Sequence, residues 1–156
     1  MVRSLKARGL AGEMAAEFVG TMILILFGCG VVAQVVAAGI GDHDSIAWAW
    51  GLGVTLGVYV ASRISGAHLN PAVTIALAVF KGFEWRKVAP YALAQTAGAF
   101  LAAMLVRWNY TEVLNAKDPG LTIKTQGVFS TLPGNGTLPV GDWAAFRDQI
   151  IGTAIL

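Results

Sequence analysis

The chain is poor in charged residues and has a single cysteine. Asp, Glu, Lys and Arg together make up 13% of its 156 residues, whereas 56% are hydrophobic and the mean hydropathy is +0.64. This balance excludes an ordinary soluble domain and predicts an integral membrane protein. Because Cys29 stands alone, a disulfide framework and a thiolate metal site are also excluded, and we expect it to be a small buried hydrophobe.

Sequence patterns for catalysis and energy coupling are missing as well. No Ser/His or paired-Asp arrangement lies within the apolar stretches, no phosphate-binding loop is present, and no His, Cys, Asp or Glu residues have metal-ligand spacing. We therefore expect neither an enzyme nor a bound cofactor. The net charge of +2 does not call for a nucleic-acid partner, because the basic residues flank the apolar segments.

Three apolar segments are long enough to cross a bilayer as single helices, and a fourth is not. The sequence predicts spans at about 13–38, 45–63 and 88–107. The charge-free run at 64–80 is interrupted by Asn70-Pro71 and is predicted to form a loop followed by a half-helix. Together these segments make up a first repeat over residues 1–106.

Basic residues next to the spans predict the orientation. They precede the first span or lie between the half-helix and the last span: Arg3, Lys6, Arg8, Lys81, Arg86 and Lys87. Because basic flanks are retained in the cytoplasm, both groups and the N-terminus are expected on the cytoplasmic side. The acidic turn at 42–44 is then expected outside.

The stretch 66–73 places the start of a helix in the middle of an uncharged run. Asn70 is a favourable N-cap residue, because its side-chain oxygen can accept from an unpaired backbone N–H, and Pro71 suits the first helical position. A helix from Pro71 to Phe80 would be roughly 15 Å long, which is about half of a hydrocarbon core. Irregular backbone at that depth is tolerated only where it is buried in protein or lines a water-filled cavity. The segment therefore predicts a pore or a substrate site.

The remainder of the chain reads as a connection and a further helix. Residues 107–141 are rich in Asn, Thr, Lys, Asp, Gly and Pro and predict a long extracellular loop. Residues 142–156 start a fourth span that stops without a cap, a basic flank or a Gly or Pro signal. We therefore expect a truncated N-terminal fragment, with a second half-helix supplied by an inverted repeat that begins near Trp143.

Three sequence blocks resemble those of one known family. They are Ala16-Glu17-Phe18-Val19-Gly20-Thr21, Ser65-Gly66-Ala67-His68-Leu69-Asn70-Pro71-Ala72-Val73-Thr74 and Gln95-Thr96-Ala97-Gly98-Ala99. In order and spacing they resemble the N-terminal half of the major intrinsic protein family, the aquaporins and glycerol facilitators. The resemblance implies an all-α membrane protein with an aquaporin-like helical bundle and a re-entrant half-helix. Of that bundle this chain would hold three spans, one half-helix and the start of a fourth span.

The resemblance also assigns pore residues in the interrupted segment. These residues are Gly66, Ala67, His68, Asn70, Pro71 and Ala72. The carbonyls of the first three would accept hydrogen bonds from the permeant, and the Asn70 amide would donate at the midpoint. His68 is expected to act through its carbonyl rather than as a proton carrier or metal ligand.

Other residues are assigned to the pore wall and to the support of the loop. Ile25 and Val54 would form the apolar wall, although lipid-facing or core positions explain such aliphatic residues equally well. Glu17, together with Gln95, would support the loop, with Glu17 accepting its backbone amides. A carboxylate in an apolar span costs several kcal/mol when unpaired, so Glu17 must face the interior. The alternative for Glu17 is a lone charge near the cytoplasmic interface.

Trp50 indicates which solute passes through the pore. It stands immediately before Gly51-Leu52-Gly53, where the glycerol facilitator branch carries a Trp that packs the carbon side of a polyol. An interfacial position is the alternative for Trp50 and the preferred interpretation of Trp48. Residues 128–133 and 148–153 also resemble glycerol facilitators.

We therefore expect a passive channel for glycerol, other small uncharged solutes and water. A water-selective channel is the nearest alternative, and half of an ion-coupled transporter is a more distant one. The implied partners are glycerol or small polyols and water as permeants, the lipid bilayer, and further copies in a homotetramer. A multi-pass protein of the plasma or inner membrane is expected.

Overall fold

A computed structural model describes residues 9–136 and 139–155. Arg3, Lys6 and Arg8, which carry part of the orientation prediction, lie outside the described residues, as does Leu156 at the end of the predicted fourth span. The described part of the chain is helical and contains no strand. Its elements are α1 (Gly9–Val36), α2 (His43–Ser65), α3 (Pro71–Phe80), α4 (Trp85–Asn109), α5 (Thr111–Lys117), α6 (Ile123–Gln126), a 3-10 turn (Pro133–Gly136) and α7 (Asp142–Ile155).

Helices α1, α2 and α4 are long and apolar enough to cross a membrane. They contain 28, 23 and 25 residues, or about 42, 35 and 38 Å, which exceeds a hydrocarbon core of roughly 30 Å. Helices α1 and α4 begin earlier than the expected positions 13 and 88. Charged residues near their starts pair with each other, since Lys87 Nζ lies 3.0 Å from Glu13 Oε2. The charges therefore do not have to lie outside the helices.

Helix α1 packs against both α2 and α4, and glycines allow the close approach. A Cβ on Gly57 of α2 would lie 2.7 Å from the carbonyl oxygen of Gly20, and a Cβ on Gly98 of α4 would lie 2.3 Å from the carbonyl oxygen of Phe18. Such backbone contacts leave no room for a side chain, as at other close helix crossings in membranes. Gly51 differs, because nothing in the described structure lies within 4 Å of its Cβ position.

The chain turns back into the bundle after α2. Gly66 ends that helix in the left-handed conformation, and the side chain of Leu69 then reaches between Gly20 and Gly57, where added Cβ atoms would lie 2.5 and 3.0 Å from it. Gly57 precedes the last residue of α2, Ser65, by eight positions, or about 12 Å of helix. The loop therefore penetrates to the middle of the bundle.

Helix α3 leads back out to the end of the bundle where α1 and α4 begin. It has ten residues, with Pro71 at its start. The side chain of Asn70 caps it, accepting from the backbone N–H of Ala72 at 2.8 Å. Between α2 and α4 the chain thus forms a loop followed by a half-helix and not a further continuous span.

The connection that follows α4 is more ordered than its composition suggests. Residues 107–141 include the last turn of α4, the short helices α5 and α6 and the 3-10 turn. Helix α7 begins at Asp142, and none of its described residues is buried.

Gly98→Ala is expected to destabilise the fold, because the added methyl group would push α1 and α4 apart. Overpacking of this kind costs roughly 1–3 kcal/mol. The thermal unfolding midpoint of the detergent-solubilised protein measures the effect. Gly51→Ala is the matched control and should leave the midpoint unchanged or slightly higher. Equal midpoints for the two variants would contradict the close contact between α1 and α4.

Candidate pore site

The loop between α2 and α3 has an unusual backbone. Gly66 has a φ of 91°, and Ala67 and Leu69 both have a φ of 53°. For residues with a side chain the left-handed region costs roughly 1–2 kcal/mol each. Such strain persists only where the surroundings hold the backbone in place. Here the side chains of Glu17 and Ser65 hold it.

The carboxylate of Glu17 is the main anchor of the loop. Its side chain is fully buried. Oε1 accepts from Ser65 Oγ at 2.6 Å and from the N–H of His68 at 2.9 Å. Oε2 accepts from the N–H of Leu69 at 2.7 Å and from Gln95 Nε2 at 2.8 Å. No Lys or Arg of the described ranges forms an ion pair with Glu17, so these four donors compensate its burial.

These bonds fix the direction of three carbonyl groups. In a planar trans peptide the N–H and the C=O point in opposite directions. Because Glu17 holds the N–H groups of His68 and Leu69, the carbonyls of Ala67 and His68 point away from it. The N–H of Ala67 is held by Ser65 Oγ at 3.1 Å, so the carbonyl of Gly66 also points away from its anchor.

The same three carbonyls lack donors, whereas the neighbouring ones have them. The carbonyl of Ser65 accepts from Tyr91 Oη at 3.0 Å, that of Leu69 from Thr21 Oγ1 at 3.3 Å, and that of Asn70 from Thr74 at 3.0 Å. Within residues 9–136 and 139–155, nothing donates to the carbonyls of Gly66, Ala67 and His68. The loop thus presents a row of three open acceptors.

The side chain of Asn70 provides an open donor next to this row. Its Oδ1 is occupied by the N–H of Ala72, which determines which end of the amide is nitrogen. The Nδ2 group donates to nothing in the described structure. The helix cap therefore leaves the amide N–H groups available to a permeant.

A second layer of polar side chains stabilises the turn into α3. Gln95 Nε2 donates to Thr74 Oγ1 at 3.1 Å as well as to Glu17. The Thr74 hydroxyl donates its proton to the Asn70 carbonyl. Thr74 Oγ1 can therefore only accept from His68 Nδ1, which lies 3.1 Å away, and we assign Nδ1 as the protonated nitrogen. The His68 ring is buried and packs against Phe83 and Tyr91, with centroid distances of 4.5 and 5.0 Å.

Trp50 lies at the opposite end of the bundle, where α1 ends and α2 begins, which we call the outer end. Its ring packs flat on Gly28, whose Cβ would lie 2.4 Å from it. Trp50 and Ile25 line a cavity of about 600 Å³, the outer cavity, together with Ile123, Lys124 and residues 127–132. Val54 does not line this cavity and is 41% exposed on α2. Trp48 is 74% exposed, in contrast to the half-buried Trp50.

Several residues of the site were not assigned a role from the sequence. They are Thr21, Ser65, Leu69, Thr74 and Tyr91. Four of them carry hydroxyl groups in apolar segments, and a polar group there needs a partner. That rule would have singled them out, although it would not have identified their partners.

Comparison with known proteins agrees with the family resemblance of the three sequence blocks. A model of the family described as Major intrinsic protein matches residues 4–156. The chain is 47% identical over 150 residues to a probable aquaglyceroporin-2 of Gibberella zeae, covering 90% of this chain and 44% of the relative. It is 42% identical over 158 residues to the glycerol uptake facilitator protein of Pseudomonas aeruginosa, covering 94% and 55%. The chain thus spans about half the length of these curated relatives.

A solved structure is similar as well. The aquaglyceroporin from Plasmodium falciparum superimposes with a TM-score of 0.66 at 30% sequence identity. The match covers 75% of this chain and 53% of that structure.

Glu17→Gln is expected to release the loop. An amide has one acceptor oxygen, so its NH2 group would face two of the four donors, at a cost of roughly 2–4 kcal/mol. Hydrogen exchange at the amides of His68 and Leu69 should become faster, and the thermal midpoint should fall. Glu112→Gln in α5 is the control, because Glu112 is exposed and its side chain makes no described hydrogen bond. Unchanged exchange at both amides would contradict the anchoring role.

Proposed function

The chain belongs to the major intrinsic protein family, and we propose that it forms part of a passive channel for glycerol, other small uncharged solutes and water. The predictions of an all-α membrane protein and of this family are confirmed by the fold and the family match. The family consists of membrane channels. We propose accordingly that the protein acts without catalysis and without a cofactor.

The observation that carries the proposal is the row of open acceptors next to an open donor. A neutral hydroxylic solute loses its hydration in a narrow pore, and this is tolerable only if other polar groups replace the water. The carbonyls of Gly66, Ala67 and His68 would replace water oxygens that accept hydrogen bonds from the solute. The Asn70 amide would replace a water molecule that donates a hydrogen bond to it. Pro71 and Ala72 begin the half-helix whose positive end lies at Asn70, which disfavours cations and protons.

An ion-coupled transporter fits this arrangement less well. It would need a charged or unwound site that holds its ion. The carboxylate that accepts from the loop, that of Glu17, is already occupied by four hydrogen bonds. We propose a supporting role for Glu17 and Gln95 and no direct contact with the permeant.

The outer cavity supports a channel that admits glycerol and is not restricted to water. Trp50 and Ile25 give it an apolar wall, which suits the carbon side of a polyol. The names of the relatives, aquaglyceroporin and glycerol uptake facilitator, agree with this choice. We propose that Val54 continues the apolar wall at a deeper level of the pore.

The protein is a multi-pass membrane protein, and we propose that its N-terminus is cytoplasmic, in the plasma or inner membrane. The basic residues Lys81, Arg86 and Lys87 lie at the end where α4 begins, and Asp42 and Asp44 lie at the other end. This distribution agrees with retention of basic flanks in the cytoplasm. We also propose a homotetramer, supported by the large apolar side chains that α2 exposes, among them Leu52, Leu56 and Tyr59.

Glycerol flux tests the proposal. The full-length protein, reconstituted in liposomes, should accelerate glycerol influx in stopped-flow swelling, and Trp50→Ala should reduce discrimination between glycerol and larger polyols roughly tenfold, because the aromatic wall is lost. Trp48→Ala is the matched control, since that ring is exposed, and should leave discrimination unchanged. Water flux without glycerol flux in the unaltered protein would contradict the glycerol assignment. Equal discrimination in all three proteins would place Trp50 outside the permeation path.

The Asn70→Asp substitution tests the role of the Asn70 side chain as a hydrogen-bond donor separately from its role as the helix cap. Aspartate caps a helix as well as asparagine, so α3 should persist in circular dichroism. The permeant, however, loses the amide donor and meets a carboxylate, and glycerol and water flux should fall roughly tenfold. Asn109→Asp, at an exposed position at the end of α4, is the control. Full flux through Asn70→Asp would rule out the amide as a contact of the permeant.

A further inference from the structure

The connection after α4 is anchored to the bundle. We call residues 111–132, which include α5 and α6, the outer segment. Two of its side chains, Leu114 and Val128, are 1% and 3% exposed. They complete a core cluster with residues of α1 and α4: Cys29, Ala33 and Val106. The outer segment is therefore part of the folded core and not a loop draped over it.

Asp118 organises the interior of the outer segment. Asp118 is 2% exposed. Oδ2 accepts from the N–H of Thr122 at 2.7 Å and from Thr125 Oγ1 at 3.1 Å, and Oδ1 accepts from Thr122 Oγ1 at 2.9 Å. The turn between them is tight, since Leu121 has a φ of 51° and its N–H donates to the Asp118 carbonyl at 3.1 Å.

The hydrogen bonds outweigh the burial of this carboxylate. Desolvation alone would raise the pKa of Asp118, but the bonds from Thr122 and Thr125 hold the pKa below its usual value. The residue is thus charged at neutral pH, and no described Lys or Arg forms an ion pair with it. A buried carboxylate held by three donors and no cation fixes the position of those donors.

The donors Thr122 and Thr125 are next in sequence to Ile123 and Lys124, which line one wall of the outer cavity. Thr122 caps α6, where it accepts from the N–H of Lys124 at 3.4 Å. Ile123 and Lys124 of α6 and residues 127–132 then line the cavity together with Trp50 and Ile25. The polar groups that this wall supplies include the side chains of Lys124, Ser130 and Thr131. The residues of α1 and α2 that form the other wall are apolar except His43.

We propose that Asp118 is a positioning residue that holds the outer segment in place as the polar wall of the outer cavity, and thereby limits the size of the polyols that reach the pore. The proposal rests on the proposed function as a polyol channel. Asp118 touches no permeant and acts through Thr122 and Thr125. Its removal frees α6, widens the cavity and weakens the discrimination between short and long polyols.

The test compares two readouts in the full-length protein. Hydrogen exchange reports whether residues 118–128 stay protected, and stopped-flow swelling of liposomes gives the flux ratio of a four-carbon polyol to glycerol. In Asp118→Ala and in the milder Asp118→Asn, exchange should become faster and the flux ratio should rise roughly threefold or more. Thr125→Val, which removes one donor at nearly constant volume, should have a smaller effect in the same direction, and Thr125→Ser should restore both readouts.

Glu112→Gln is the control, because it removes an exposed carboxylate from the same segment. Unchanged exchange in the Asp118 variants would overturn the anchoring, and faster exchange with an unchanged flux ratio would overturn the role in size selection. A rise of the ratio in Glu112→Gln as well would attribute the effect to charge and would also overturn the proposal. Absence of glycerol flux in the unaltered channel would instead contradict the proposed function, and the size limit with it, while the exchange data would still decide on the anchoring.

Discussion

The site depends on the carboxylate of Glu17 and on the four hydrogen bonds that it accepts. A carboxylate has about four lone-pair positions, and here two backbone N–H groups, a hydroxyl and an amide use them. The backbone donors belong to peptide groups whose carbonyls face the other way. Stability and the proposed permeation therefore rest on the same peptide groups, because the bonds that compensate the buried charge are those that turn the carbonyls away from Glu17.

Close helix packing is a condition for this arrangement. Glu17 lies on α1, Gln95 on α4 and Ser65 at the end of α2, so three helices must approach closely for one carboxylate to bind groups from all of them. Gly57 and Gly98 permit the approach by placing backbone against backbone. The strain at Ala67 and Leu69 fits the same scheme. Left-handed backbone at residues with a side chain is unfavourable by itself, and here the anchors on both sides of each residue determine it.

The sequence allowed prediction of the features that depend on local signals. Asn70 and Pro71 indicate a helix start whatever surrounds them, and the apolar runs predict spans by their length. It did not allow prediction of the left-handed backbone at Ala67 and Leu69, because no local preference favours it and only distant anchors impose it. The roles of Thr74 and Tyr91 were missed for a similar reason, since their partners lie 21 and 26 residues away along the chain. The anchor within residues 107–141 was not predicted, because Asp118 looks like an ordinary turn residue until its burial is known.

The two walls of the outer cavity are held by different means, and this difference bears on selectivity. Trp50 is fixed by contact with the backbone of Gly28 inside a packed pair of long helices, so its position follows from the bundle. The polar wall is fixed by a few hydrogen bonds around Asp118 and by the buried side chains of Leu114 and Val128. Short helices have little stability of their own, so this wall is expected to open at a lower free-energy cost than the bundle. Under the proposed function, changes in the outer segment would therefore alter which solutes are admitted, while the carbonyl row beside Asn70 would keep its geometry.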